Sequence, residues 1–150
     1  MRLLSIRHVG GYDTIPEPFA ENDHLWRKIG AWAEERGIRY YPAAVSIYYD
    51  NPWLTPVESL RSDAGLPIAS TAQAGRTIRS IAIEPGEYGV IEHTGPRSTR
   101  WQAFRKLADT IHSSKRFTVP GEPSGAILIK PLGSGPTDRL EVCLKVIRRK

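Results

Sequence analysis

The chain is poor in sulfur, with Cys143 its one cysteine and Met1 its one methionine in 150 residues. A single thiol excludes an internal disulfide framework and a thiolate metal cluster built within one chain. No run of 18 apolar residues occurs, so no segment reads as a membrane-spanning helix. The opening stretch Met1-Arg2-Leu3-Leu4-Ser5-Ile6-Arg7-His8 lacks the apolar core of a secretory signal. A cytoplasmic setting is therefore expected. Several chemical signatures are missing as well: there is no G-x-S-x-G elbow, no G-x-x-x-x-G-K-[ST] loop, no G-x-G-x-x-G and no C-x-x-C. Without them, nothing points to a serine-elbow hydrolase, a phosphate-loop enzyme, a dinucleotide enzyme or a dithiol redox protein.

What is present begins with ordinary soluble-protein composition, 40% hydrophobic and 25% charged. The length suits one domain over residues 1–150. Lys plus Arg outnumber Asp plus Glu by 21 to 16, a formal charge of +5. Its distribution matters more than its sum. The last six residues carry +4, and residues 97–116 carry +5, with Asp109 the only acid there. The remainder therefore carries −4. A polarised surface of this kind ordinarily serves solubility or steering, so direct nucleic-acid contact is not the favoured reading.

The chain also repeats itself. Arg7-His8-Val9-Gly10-Gly11-Tyr12 is echoed by Glu92-His93-Thr94-Gly95-Pro96-Arg97, with the histidines 85 residues apart. Each copy follows a strand-like run and precedes a Trp-bearing helical segment and then a β-rich stretch. The first unit runs from about residue 2 to 70 and the second from about 76 to 147. Position before a glycine turn, with no further ligand nearby, makes His8 and His93 turn residues and not a metal or acid–base pair.

The spacing of Trp26, Ile29 and Ala33 predicts a helix over residues 22–36, capped by Asn22 and stopped by Gly37. Trp101, Phe104, Leu107, Ala108 and Ile111 predict a second helix from Ser98 to about His112. Strands are expected at residues 3–7, 43–50, 76–84, 88–92, 125–130 and 140–147, for seven or eight in all. Pro85-Gly86 reads as a hairpin turn joining 76–84 to 88–92, and Gly133-Ser134-Gly135-Pro136 as the loop before the last strand. Parity puts Ala44, Ser46, Tyr48 and Asp50 on one face, opposite Val45, Ile47 and Tyr49. It likewise groups Ser124, Ala126, Leu128 and Lys130. Arg61 and Asp63 alternate so as to reach a common partner.

Tyr48-Tyr49-Asp50-Asn51-Pro52, followed by Thr55-Pro56, Glu58, Leu60-Arg61 and Asp63, resembles the core motif of the GyrI-like (gyrase-inhibitory-protein-like) small-molecule-binding family. The same domain forms the effector-binding part of some AraC-type transcription activators. His8-Val9-Gly10-Gly11-Tyr12 is similar to that family's opening His-x-Gly-Pro-Tyr, and Pro85-Gly86-Glu87-Tyr88 and His93-Thr94-Gly95-Pro96 to its second-half equivalents. The resemblance implies an α+β fold. Two tandem strand–helix–strand–strand (SHS2) repeats would form one antiparallel sheet, with both helices on one face and a ligand groove between them.

It further implies a ligand site formed by Tyr12, Trp26, Trp32, Ser46, Tyr48, Trp101, Ala126 and Leu128. In the family a groove glutamate, two residues before a tyrosine, attracts cationic ligands. Here Ala126 and Leu128 occupy those places and Arg97 replaces a second-half tyrosine, so the groove is expected to suit a neutral or anionic aromatic ligand. The expected protein is a freestanding, non-enzymatic small-molecule binder with no cofactor, no metal site and no assigned catalytic residue. One alternative partner is DNA gyrase or another acidic protein. Another alternative is hydrolysis of strained-ring electrophiles by Glu84 or Glu87 beside Tyr48. No membrane partner is expected.

Overall fold

The computed structural model describes residues 1–15, 24–120, 126–131 and 139–150. Among these residues two α-helices and eight strands appear in the order β1 (Arg2–Val9), α1 (His24–Glu35), β2 (Ala43–Tyr48), β3 (Arg61–Ile68), β4 (Arg79–Ala82), β5 (Glu87–Thr94), α2 (Arg100–Ser113), β6 (Phe117–Thr118), β7 (Ala126–Pro131) and β8 (Arg139–Arg148). The fold is α+β, with one antiparallel sheet ordered β4-β1-β3-β2-β7-β8-β5 and β6 on the end of β8. Asn22, Ser124, Gly125 and the Gly133–Pro136 loop lie outside the described residues.

The order makes the repeat visible in space. β1, β3 and β2 mirror β5, β8 and β7, and the halves meet where β2 pairs with β7, placing Ser46 opposite Leu128 and Tyr48 opposite Ala126. Strand parity assigns the faces. Leu4, Ile6, Ala44, Ala64 and Leu66 meet Trp26, Ile29 and Ala33 of α1. Leu140, Val142, Leu144 and Val146 meet Ala103, Leu107 and Ile111 of α2 on the same side. The α2 stripe is therefore centred on Ala103-Leu107-Ile111, leaving Trp101 and Phe104 on its flank. Gly89 is what lets α2 sit so near β5: a Cβ there would come within 2.9 Å of Ile111 Cδ1.

The expected hairpin between 76–84 and 88–92 does not form. β4 pairs with β1 and β5 with β8, at opposite edges of the sheet. Only residues 83–86 join them, and five residue steps reach about 17 Å at most. Seven strands laid flat would separate those edges by roughly 29 Å. The sheet must curl, and curling explains a second core on the face without helices. Leu3 and Val45 are fully buried there with Ile47, Ile127 and Cys143, and Ile81, Ile83 and Tyr88 from the two edges pack on them. The proline–glycine pair is a real break in the chain, but pairing went to whichever sheet edge offered an open ladder.

β3 covers a stretch whose sequence carries only a weak strand pattern. Gly65 and Pro67 weaken its local signal, yet every residue from Ser62 to Ile68 is buried. Its charged start does not reach a common partner. Arg61 holds Asp50, at 2.7 Å between Nη2 and Oδ1, while the buried Asp63 accepts from Arg7 Nε (2.5 Å), Arg79 Nη2 (2.9 Å) and the Tyr49 hydroxyl (2.7 Å). Strand pairing separates the two residues' surroundings: Asp63 lies opposite Arg7, whereas Arg61 lies at the turn beside Asp50.

Candidate functional site

The two His-x-Gly turns set the site. Gly10 and Gly95 have φ of 135° and 140°, a region that only glycine enters without strain. Each turn is locked by a threonine six residues after its histidine. The Thr14 hydroxyl donates to Gly11 O (2.6 Å) and meets His8 Nε2 at 3.0 Å. The Thr99 hydroxyl donates to Pro96 O (2.9 Å) and meets His93 Nε2 at 3.2 Å. With each hydroxyl proton directed at a carbonyl, the imidazole Nε2 is the donor, and both histidines serve the turn. Among the described residues, no group of three His, Cys, Asp or Glu is arranged to hold a metal ion.

Four residues after each histidine the repeat diverges. Tyr12 turns inward, and its hydroxyl donates to Asp50 O and accepts from Asp50 N–H, both at 2.8 Å. Burial raises its phenol above the ordinary tyrosine pKa. In the second copy, Arg97 reaches across the seam, donating to Ile15 O at 2.8 Å and to Tyr12 O. One half thus grips the other through a guanidinium on backbone carbonyls.

Between α2, the Tyr12 turn and the β2–β7 seam lies a cavity of about 310 Å³. Tyr48, Ala126 and Leu128 line it from the sheet, Tyr12 and Asp13 from the first turn. Arg97, Ser98, Arg100, Trp101 and Phe104 line it from the start of α2. The aromatic rings form a connected set. Tyr12 meets Tyr48 edge-on with centroids 4.7 Å apart, Trp101 stacks on Tyr12 at 6.3 Å, and Phe104 meets Trp101 edge-on at 5.8 Å. Such walls suit a flat apolar group, with the charged groups at one end to orient it.

Five of the eight residues expected at a ligand site line this cavity: Tyr12, Tyr48, Trp101, Ala126 and Leu128. Trp26, Trp32 and Ser46 do not. Trp26 is 1% exposed in the α1 core, with its indole N–H on Gly65 O at 3.3 Å. Trp32 packs against that same core beneath Arg36, whose guanidinium lies 4.1 Å from its ring centroid. Ser46 is buried in β2 opposite Leu128. Lys130, two residues beyond Leu128, is half-buried and also not part of the lining. Sequence reasoning missed Asp13, Arg97, Ser98, Arg100 and Phe104 as lining residues. Phe104 was within reach, one turn after Trp101 on the same helix. Arg97 and Ser98 were signalled by their place just after the second glycine turn.

The carboxylates considered for hydrolysis lie elsewhere. Glu84 is paired with Lys145, and Glu87 with Arg148 at 2.8 Å, which lowers both carboxyl pKa values. Neither lines the cavity, and among the described residues Asp13 is the one carboxylate that does. Cys143 belongs to the core of the curled face, where burial raises its thiol pKa to about 11. That makes it a poor nucleophile.

Residues 1–123 match the GyrI-like small molecule binding domain. Among solved structures, the chain is similar to EcmrR in an EcmrR–DNA complex (TM-score 0.74, 12% identity, covering 99% of this chain). It spans only about half of that protein, 54% of its length. The crystal structure of the EcmrR C-terminal domain is similar over 99% of this chain and 92% of that one (TM-score 0.68, 12% identity). A hydrolase from Listeria innocua is similar over 98% and 87% (TM-score 0.63, 12% identity). No curated protein matches the sequence significantly. No helix among the described residues is long and apolar enough to cross a membrane.

Proposed function

The chain belongs to the GyrI-like small-molecule-binding family, and from that premise we propose that it binds, without chemical turnover, a flat aromatic ligand that is neutral or anionic. The observation that carries this reading is the composition of the cavity. Among the described residues, four aromatic rings surround a space whose charged groups are two arginines and one aspartate. A lipophilic cation gains most from a buried carboxylate among rings, and Ala126 offers none. Arg97 and Arg100, together with the positive end of α2, favour negative charge at that mouth. Asp13 is the exposed carboxylate among the described lining residues.

Calorimetric titration with 2-naphthoate, 2-naphthol and a 2-naphthyl trimethylammonium salt tests this charge order. The naphthoate should bind tightest and the ammonium weakest, and Trp101→Ala should weaken all three about tenfold or more. Arg100→Glu should reverse the preference between the charged pair. A cation preference in the wild type would overturn the reading of the cavity's charge. The hydrolase similarity is one of fold alone, and the positions of Glu84 and Glu87 give it no support here.

A further inference from the structure

Beside the cavity stands an exposed apolar shelf. Trp53 is 75% exposed, Leu54 80% and Val57 58%, three large apolar residues within five positions. Single exposed apolar residues are ordinary, but a contiguous group marks a contact site. The shelf is built to stay outside the core. Asn51 Oδ1 accepts the Trp53 N–H at 2.9 Å, and Asn51 O accepts the N–H groups of Leu54 (3.1 Å) and Thr55 (3.0 Å). This turn holds Trp53 and Leu54 up into solvent.

The shelf is continuous with the cavity. Trp53 meets Trp101 edge-on, with centroids 6.0 Å apart, and Trp101 is itself 40% exposed while lining the cavity. Trp53, Trp101, Tyr12 and Tyr48 therefore form one file of rings running from solvent to the sheet floor. The cavity's 310 Å³ is at the small end for ligand sites, which run from about 300 to 1,000 Å³. A ligand with more than a compact ring system must leave it, and past Trp101 it meets the exposed ring of Trp53.

We propose that Trp53 and Leu54 form an outer apolar subsite, and that the ligand is elongated, with an aromatic head in the cavity and an aliphatic or second apolar part laid along this shelf. The proposal rests on the reading of the cavity as a ligand site and adds to it the shape and length of the ligand. It also accounts for a tryptophan and a leucine kept in water by a preformed turn. The shelf covers one side of a tail, so each methylene should tighten binding by about twofold, near half the effect of full burial.

The test is calorimetric titration of the protein with 2-naphthoate and its 6-ethoxy, 6-butoxy and 6-hexyloxy derivatives. Affinity should rise about fifteenfold from ethoxy to hexyloxy, four methylenes at about twofold each. Trp53→Ala and Leu54→Ser should each flatten that series while leaving the affinity for 2-naphthoate within about twofold of wild type. Both residues are exposed, so neither change should impair folding. A flat wild-type series with 2-naphthoate bound would overturn the shelf and leave the cavity standing, and an unchanged slope in both variants would do the same. Absence of binding by any of the four compounds would overturn both. Sedimentation at rising protein concentration provides the remaining check. Self-association abolished by Trp53→Ala would show that a second copy covers the shelf and would overturn the proposal.

Discussion

Two tryptophans, each in the first turn of a helix, part company in this fold. Trp26 of α1 is sealed in the core with its N–H on a strand carbonyl, whereas Trp101 of α2 is 40% exposed and walls the cavity. Their local sequence settings are alike, an apolar stripe at three-and-four spacing. What separates them is the line along which each helix meets the sheet. α1 presses Trp26 into β3, while the contact line of α2 runs through Ala103, Leu107 and Ile111 and leaves Trp101 facing the seam. At this position the first half of the molecule places a core residue and the second half a wall of the cavity.

The sharpest way to break that contrast is to truncate both rings. Trp26→Ala should cost about 4 kcal/mol, as removal of a fully buried aromatic ordinarily does. Trp101→Ala should cost about 1 kcal/mol, since much of its surface is already wet. Urea denaturation of both variants measures the difference; equal losses would mean that Trp101 belongs to the core.

Ionic contacts repeat the contrast on a smaller scale. In the first half Asp63 is 1% exposed and holds two arginines and a tyrosine. The second half instead carries exposed pairs such as Glu92–Arg139, with side chains 51% and 56% exposed. Asp63→Ala strands two partly buried guanidinium groups and should cost about 3 kcal/mol. Glu92→Gln should change stability by less than about 0.5 kcal/mol. A double-mutant cycle on each pair checks the ranking.

The smallest expected effect is in acid. Arg61 beside Asp50 holds that carboxyl below its ordinary value. A lowered folded-state pKa contributes stability above the unfolded value near 4, and that stability is lost as pH falls through the folded one. Asp50→Asn should therefore flatten the acid limb of the stability curve below about pH 4. Glu84 and Glu87, also lowered, are exposed, so their share should fade in 0.5 M salt, about three times the physiological ionic strength, while that of Asp50 persists. Thermal melts from pH 2 to 6 at low and high salt separate the two.

The same division governs what could be read before any coordinates. The His-x-Gly repeat, the helix stripes and the strand parity that puts Ser46 with Tyr48 on one face and Ala126 with Leu128 on one face are all local periodicities, legible in a linear string; that those two strands pair is not. The pairing of β4 was not, because Pro85-Gly86 signals a turn without saying which edges the two strands will find. Arg97 was noted only as a departure from a tyrosine; its grip on Tyr12 and Ile15 spans more than 80 residues. The basic helix end and basic tail were visible as separate runs. The backbone bond from Arg149 N–H to Arg116 O, next to the β6–β8 pairing, brings them together at one corner.

The sequence alone determined the repeat, the two amphipathic helices and the lone thiol, since each depends on residue type and spacing along the chain. Tertiary structure decided which tryptophan is core and which is wall, how far the sheet curls, and which carboxylates face the cavity. Those outcomes depend on where elements distant in sequence come to rest against one another. A four-residue link between opposite sheet edges, and a helix rolled so that Ala103 and not Trp101 meets the strands, are facts of packing that no local pattern encodes.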